Sequence, residues 1–172
     1  AVGGNIGEAA LARDPPPTGA PFVLELSSYP LDLCRSTGFA SAALLNISPD
    51  HLSRHGGLSG YIDAKLRIFA RQQPGNLALI GVDDHYGPTI AAALTNHSQA
   101  TVLPVTTART LDVGLSAAAG DLRLNGQAIL DLRDLPHLSG AHNWQNAAVA
   151  AGLAWHAGLS LEAIAAGIAG FT

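Results

Sequence analysis

Apolar and polar positions along the chain alternate between strand-like and helix-like periods. Phe22-Val-Leu-Glu-Leu26 predicts a buried strand, interrupted only by Glu25. Ala42-Ala-Leu-Leu-Asn-Ile47 predicts a second strand, ending at Ser48-Pro49. Gly60 to Arg71 has helical spacing, with Tyr61, Lys65 and Ile68 on roughly one face. Asn76 to Val82 predicts a third strand with Asp83-Asp84 at its C-terminal end; a helix over 87–96 and a short strand at Thr101–Val105 follow. Asp121–Leu124 and Gln127–Leu130 flank Asn125-Gly126, a two-residue hairpin signal. An Ala-rich helix runs from about Gly140 to His156. A last helix spans Ser160 to Ala169, with Ser160 as its cap and Glu162 in its first turn. Upstream, Glu8–Arg13 is a short helix candidate with Asn5 near its cap, and Asp14-Pro-Pro-Pro-Thr-Gly19 is a loop. Strands alternating with helices, then a hairpin and two helices, predict an α/β sheet with a small antiparallel addition.

Composition narrows the functional classes. A chain of 172 residues with 48% hydrophobic and 13% charged residues predicts one compact domain rather than a disordered segment. The net charge of -4, without a Lys/Arg run, argues against a nucleic-acid partner. No apolar run reaches membrane-spanning length, and the start lacks a basic-then-apolar signal, so neither a membrane nor secretion is expected. The one cysteine, Cys34, has no internal disulfide partner; it reads as a buried small hydrophobe and suits the cytoplasm. The chain opens with Ala1 in mid-motif, the expectation for a processed chain or a fragment.

Lys65 is the single lysine; the other eight basic residues are Arg. A lysine amine can lose its proton and react with carbonyl compounds or carbon dioxide, whereas a guanidinium stays charged. The alternative reading is a surface cation on a helix.

Glu25 sits near the carboxyl end of an apolar strand. There it is paired, metal-bound, or simply at an edge facing water. His51 lies beyond the second strand in the same way. Asp50, His51 and His55 invite a zinc reading, but the helical zinc-hydrolase pattern fails because Leu52 stands where its glutamate belongs. His55 is expected to cap a turn beside Gly56-Gly57. Asn143 and Asn146, three apart at a helix start, could recognise a heterocycle such as adenine, or be a cap and an exposed amide. Gly3-Gly-Asn-Ile-Gly7 could bring backbone N–H groups to an anion, or be an ordinary turn. There is no phosphate-cradling Gly-rich loop ending in Lys-Ser/Thr, no Gly-x-Ser-x-Gly elbow and no Cys cluster.

Taken together and in order, Gly4-Asn-Ile-Gly7, Glu25-Leu-Ser-Ser28, Asn46-x-x-x-Asp50-His51-x-x-Arg54, Tyr61-x-x-x-Lys65-x-Arg-Ile-Phe69 and His142-Asn143-x-x-Asn146 resemble the central ATP-binding domain of the Mur ligases. The Glu-Leu-Ser-Ser and Lys-Leu-Arg-Ile-Phe wording is most similar to the D-glutamate-adding members. Sister Mur ligases, folylpolyglutamate synthase and a non-catalytic binding module are the alternatives. The resemblance runs from residue 3 to about residue 171, with little signal over 83–120.

It implies a P-loop-type, mostly parallel sheet flanked by helices, truncated at its N-terminus. The P-loop, the N-terminal UDP-binding domain and the C-terminal amino-acid-binding domain are expected to lie outside these residues. The implied cofactors are ATP and Mg2+. The implied partners are UDP-N-acetylmuramoyl-L-alanine and D-glutamate, joined through an acyl phosphate in peptidoglycan precursor synthesis. By the same resemblance, Glu25 and His51 would hold magnesium and Lys65 would carry a carbamate facing it. Tyr61 would neighbour that lysine. Asn5, with His51, would contact the UDP-sugar substrate, and Asn143 and Asn146 would lie in the nucleotide site. A chain without the P-loop is expected to be inactive alone, and to be prone to self-association through an unpaired sheet edge.

Overall fold

The computed structural model describes residues 2–4, 14 and 17–171; the predicted helix over 8–13 and Asn5 lie outside them. The chain forms two compact units, one comprising the described residues up to Thr37 together with Pro49–Ile68, the other Gly38–Ser48 with the described residues from Phe69 onward.

In the first unit, β1 (Val2–Gly4) and β2 (Val23–Glu25) form a parallel pair in which Gly4 lies opposite Glu25. Glu25 therefore ends its strand, and its side chain is exposed. Helix α1 (Ser28–Leu33) follows at once, an element that the sequence pattern did not predict. Its C-cap, Cys34, is half-buried rather than buried, because the chain leaves the helix there in an extended conformation. A single helical turn, α2 (Leu52–His55), ends at Gly56 in the left-handed region. Helix α3 (Leu58–Leu66) tightens into a 3-10 turn at Arg67–Phe69 and buries Tyr61 and Ala64. The predicted helix over 60–71 thus starts two residues early and closes in a tighter turn. A Cβ on Gly60 would come within 1.9 Å of the His55 carbonyl oxygen, so α3 can begin this close to α2 only because position 60 is glycine.

The second unit is a six-stranded sheet in sequential order: β3 (Ser41–Leu44), β4 (Leu77–Gly81), β5 (Thr101–Thr106), β6 (Leu115–Ala118), β7 (Asp121–Leu124) and β8 (Gln127–Asp131). The first four strands are parallel and the last three make two antiparallel hairpin pairs. Strand β3 stops at Leu44, short of the predicted Ile47, because the Ile47 N–H is taken by the Asp84 carboxylate at 2.6 Å. The predicted hairpin turn is present, with Asn125 and Gly126 both at positive φ. A second turn of the same kind, Ala119-Gly120, joins β6 to β7 and escaped the sequence pattern because alanine rarely takes that conformation.

Helix α4 (Gly87–His97) packs on β4 and β5, while α5 (Ala141–His156) packs across the sheet from β3 to β7. The α5 face toward the sheet is made of small residues, Ala147, Ala148, Ala151 and Gly152, which meet Leu77, Leu79 and Leu115 in one core. A Cβ on Gly152 would fall 2.8 Å from Leu79 Cδ1 and 2.9 Å from Leu115 Cδ1. Every residue of β4 is buried, as expected for a parallel strand covered on both faces. Helix α6 (Leu161–Ala169) completes this unit, its Ser160 side chain accepting from the Ala163 N–H.

Candidate functional site

A cleft of about 550 Å³ in the first unit is lined by Glu25 to Pro30, Asp50, His51, Tyr61 and Lys65. Four positions singled out from sequence, Glu25, His51, Tyr61 and Lys65, are thus brought together. They arrive from three local features. Glu25 comes from the carboxyl end of β2, His51 from the turn before α2, and Tyr61 and Lys65 from successive turns of α3.

Lys65 Nζ stands 5.4 Å from the centroid of the Tyr61 ring. Burial pushes its pKa below the ordinary lysine value, and the Glu25 carboxylate pulls it partly back. Burial also raises the Tyr61 pKa, with a further push from Asp50, so Tyr61 remains a neutral phenol.

His51 is held in the left-handed region at φ 50°, which is uncommon for a residue with a side chain. Asp50 holds it there twice: Oδ1 accepts from the His51 N–H at 2.8 Å, and Oδ2 lies 3.3 Å from Nε2. The Tyr29 ring meets His51 edge-on at 5.3 Å between centroids. The His51 side chain keeps 57% of its surface exposed, leaving it able to reach a ligand.

Two of these residues, Ser28 and Tyr29, were missed as site residues in the sequence, although they directly follow the Glu-Leu-Ser run. Asp50 stands in the sequence motif that carries the family resemblance, without a role of its own there. His55 does not line the cleft: its Nε2 is hydrogen-bonded to Ser28 Oγ at 3.0 Å. Among the described residues, no three His, Cys, Asp or Glu side chains are gathered closely enough to hold a metal ion. As protonated lysine, Lys65 would repel a divalent cation. As a carbamate it would add an anionic oxygen donor to Glu25. That set fits magnesium, which takes few protein carboxylates and keeps several waters.

A second, smaller cavity of about 250 Å³ lies in the other unit, lined by Leu45, Asn46, Asp83, Asp84, Thr107, Ala141, His142 and Gln145. It sits at the carboxyl ends of β3, β4 and β5. The two aspartates, whose part in the fold the sequence did not reveal, organise its rim. Asp84 accepts from the N–H groups of Ile47, Tyr86 and Gly87, at 2.6, 2.9 and 2.6 Å. Asp83 accepts from the Thr106 and Thr107 hydroxyls and from the Thr107 N–H. Asn143 and Asn146 line neither cavity. Asn143 Nδ2 donates to the Ser139 carbonyl at 2.9 Å, a local role at the start of α5, and Asn146 is exposed one turn on.

The family model described as Mur ligase middle domain matches residues 8–154. The chain belongs to the Mur ligase family, as a middle domain. A relative from Caulobacter sp. (strain K31) named UDP-N-acetylmuramoylalanine–D-glutamate ligase is 46% identical over 153 residues, covering 87% of this chain and 33% of its own length. One of the same name from Paramagnetospirillum magneticum is 43% identical over 169 residues, covering 98% of this chain and 37% of its own. The chain thus spans about a third of the length of these curated relatives. Among solved structures, a UDP-N-acetylmuramoyl-L-alanyl-D-glutamate–2,6-diaminopimelate ligase is similar at a TM-score of 0.65 and 25% identity, over 88% of this chain and 32% of the other. A Neisseria meningitides ligase acting on UDP-N-acetylmuramate has the same fold at a TM-score of 0.64 and 19% identity, over 88% of this chain and 48% of the other. The mostly parallel sheet flanked by helices is therefore a Mur ligase middle-domain architecture. No helix among the described residues is long and apolar enough to cross a membrane.

Proposed function

We propose that this chain is the middle part of an ATP-dependent ligase that adds D-glutamate to UDP-N-acetylmuramoyl-L-alanine in the cytoplasm, a step of peptidoglycan precursor synthesis. The observation that carries the reading is the single cleft holding Glu25, His51, Tyr61 and Lys65. The names of the relatives supply the substrates.

The chemistry follows from charge. The substrate's terminal carboxylate attacks the γ-phosphorus of ATP; the bond to the bridging oxygen breaks, leaving an acyl phosphate and ADP. The D-glutamate amine then attacks the acyl carbon, loses a proton, and phosphate departs with the bonding pair. Both steps gather negative charge, so positioning and charge neutralisation dominate catalysis. Magnesium, when bound, supplies neutralisation at the phosphoryl oxygens. Glu25, His51 and the Lys65 carbamate would hold it. The carbamate forms when the neutral Lys65 amine attacks carbon dioxide, making an N–C bond and releasing a proton. The lowered pKa of Lys65 favours the neutral amine that this needs. Asn143 and Asn146 are proposed to face the nucleotide, Asn146 toward adenine, and Asn5 the UDP-sugar.

The test is a substrate panel on the full-length protein. ADP release with ATP, Mg2+ and UDP-N-acetylmuramoyl-L-alanine should require D-glutamate. Release driven instead by meso-diaminopimelate with the matching dipeptide precursor, or by a folate with L-glutamate, would transfer the protein to a sister branch. No turnover with any of them would favour a non-catalytic binding module.

A further inference from the structure

Three residues of the cleft, Ser28, Tyr29 and Tyr61, pack against one residue that does not line it. Ser28 is 4% exposed, and its buried hydroxyl needs a partner. His55 Nε2 provides one at 3.0 Å. The same imidazole meets two tyrosine rings of the cleft edge-on, Tyr29 at 5.9 Å and Tyr61 at 5.8 Å between centroids. Tyr29 in turn meets His51 at 5.3 Å, and Tyr61 stands 5.4 Å from Lys65 Nζ. His51 is thus one ring away from His55, Lys65 one ring away, and Glu25 three residues along the backbone from Ser28.

We infer that His55 is a positioning residue, which sets His51 through Tyr29, Lys65 through Tyr61, and the Glu25 strand end through Ser28. This rests on the functional reading of the cleft given above. Position 55 suits the task. It ends α2 at the left-handed Gly56 turn, and its carbonyl oxygen is the atom against which Gly60 brings α3. One residue therefore joins the start of α1, the end of α2 and the start of α3. Its ring performs two separable functions, a hydrogen bond to Ser28 and two edge contacts to tyrosines. Arg54 is placed to support it, with its guanidinium carbon 5.4 Å from the centroid of the Tyr29 ring.

The test uses the full-length protein with His55→Ala, His55→Gln, His55→Phe and Ser28→Ala. Removing an outer partner of a metal-site residue costs about 10–100-fold, and that fall is expected in kcat for His55→Ala, with KM for ATP within about twofold of the parent. His55→Gln, whose amide can still reach Ser28, should recover part of the loss, and His55→Phe, which keeps the ring, another part. Ser28→Ala combined with His55→Phe should cost no more than either alone, because both break the same bond. The second readout needs no turnover: 13C-bicarbonate labelling followed by NMR should show a lower carbamate signal in folded His55→Ala than in the parent. If the parent itself lacks ligase activity, the proposed function fails, and the carbamate signal still reads the inference. A His55→Ala protein with parental kcat and carbamate signal, or losses that follow only the fraction unfolded in all three His55 variants, overturns it.

Discussion

Lys65 Nζ lies 5.4 Å from the centroid of the Tyr61 ring, one turn along the same helix, and Glu25 acts electrostatically on the same amine. The three residues balance the charge of the lysine. The ring and the carboxylate favour the cation, and burial disfavours it more strongly, so the net pKa falls. That balance makes the neutral amine, the form the proposed carbamate needs, more accessible than in a free lysine.

Lys65→Arg in the full-length protein keeps a cation of similar reach but cannot form a carbamate. Loss of a pre-organised charged group in a site of this kind costs about 10²–10³ in kcat, and that loss is expected here with an unchanged far-UV circular dichroism spectrum. A near-parental rate would return Lys65 to the role of a surface cation.

The pH dependence has a definite sign. With its folded pKa below the ordinary 10.5, Lys65 binds fewer protons in the folded than in the unfolded chain between those two values. Its charged form is penalised in the folded state below the lowered pKa, and the penalty lifts progressively as pH rises from that pKa to 10.5. The neutral amine becomes available as pH rises toward the lowered pKa. The carbamate signal at fixed dissolved carbon dioxide should therefore grow over that range, and Lys65→Arg should remove the rise. A signal that falls over that range contradicts the assignment.

The sequence exposed this site because its residues sit where strand and helix periods end. Glu25 breaks an apolar run, His51 follows one, and Tyr61 and Lys65 share a helical spacing. Those features are local. The partners that hold them are not: Ser28 and His55 are separated by 27 positions, and nothing in either neighbourhood announces the other. The same limit applies to the sheet. Asn125-Gly126 marked one hairpin by composition, whereas Ala119-Gly120 makes the same turn with an alanine at φ 49°. Strand β6 goes unmarked with it, because Leu115–Ala118 is short and its Ser116 is buried like its apolar neighbours rather than alternating with exposed positions.

Gly60→Ala tests how closely α2 and α3 must approach. The added methyl would meet the His55 carbonyl oxygen at 1.9 Å, a backbone atom with no rotamer to relieve the clash. Overpacking of this kind costs about 1–3 kcal/mol, and a backbone clash this close puts it at the upper end, above the roughly 1 kcal/mol that alanine gains over glycine in a helix. Urea unfolding should show a lower midpoint, and kcat should fall with it, because His55 would be displaced. An unchanged midpoint would mean that the two helices can separate freely.

His156 offers a test away from the cleft. Its Nδ1 lies 2.7 Å from Ser41 Oγ and its Nε2 lies 2.8 Å from the Gly75 carbonyl oxygen, so the end of α5 is fastened to the start of β3 and to the loop before β4. The carbonyl can only accept, so Nε2 carries the proton and Nδ1 accepts from the serine hydroxyl. Each bond contributes about 1 kcal/mol net, and removal of the ring leaves both partners to find water. His156→Ala should therefore lower stability by about 1–3 kcal/mol in urea unfolding. His156→Gln, which can satisfy only one partner at a time, should fall between. Neither change touches Lys65, Glu25 or His51, so the 13C carbamate signal of the folded fraction should match the parent. A lost carbamate signal in folded His156→Ala would contradict this expectation.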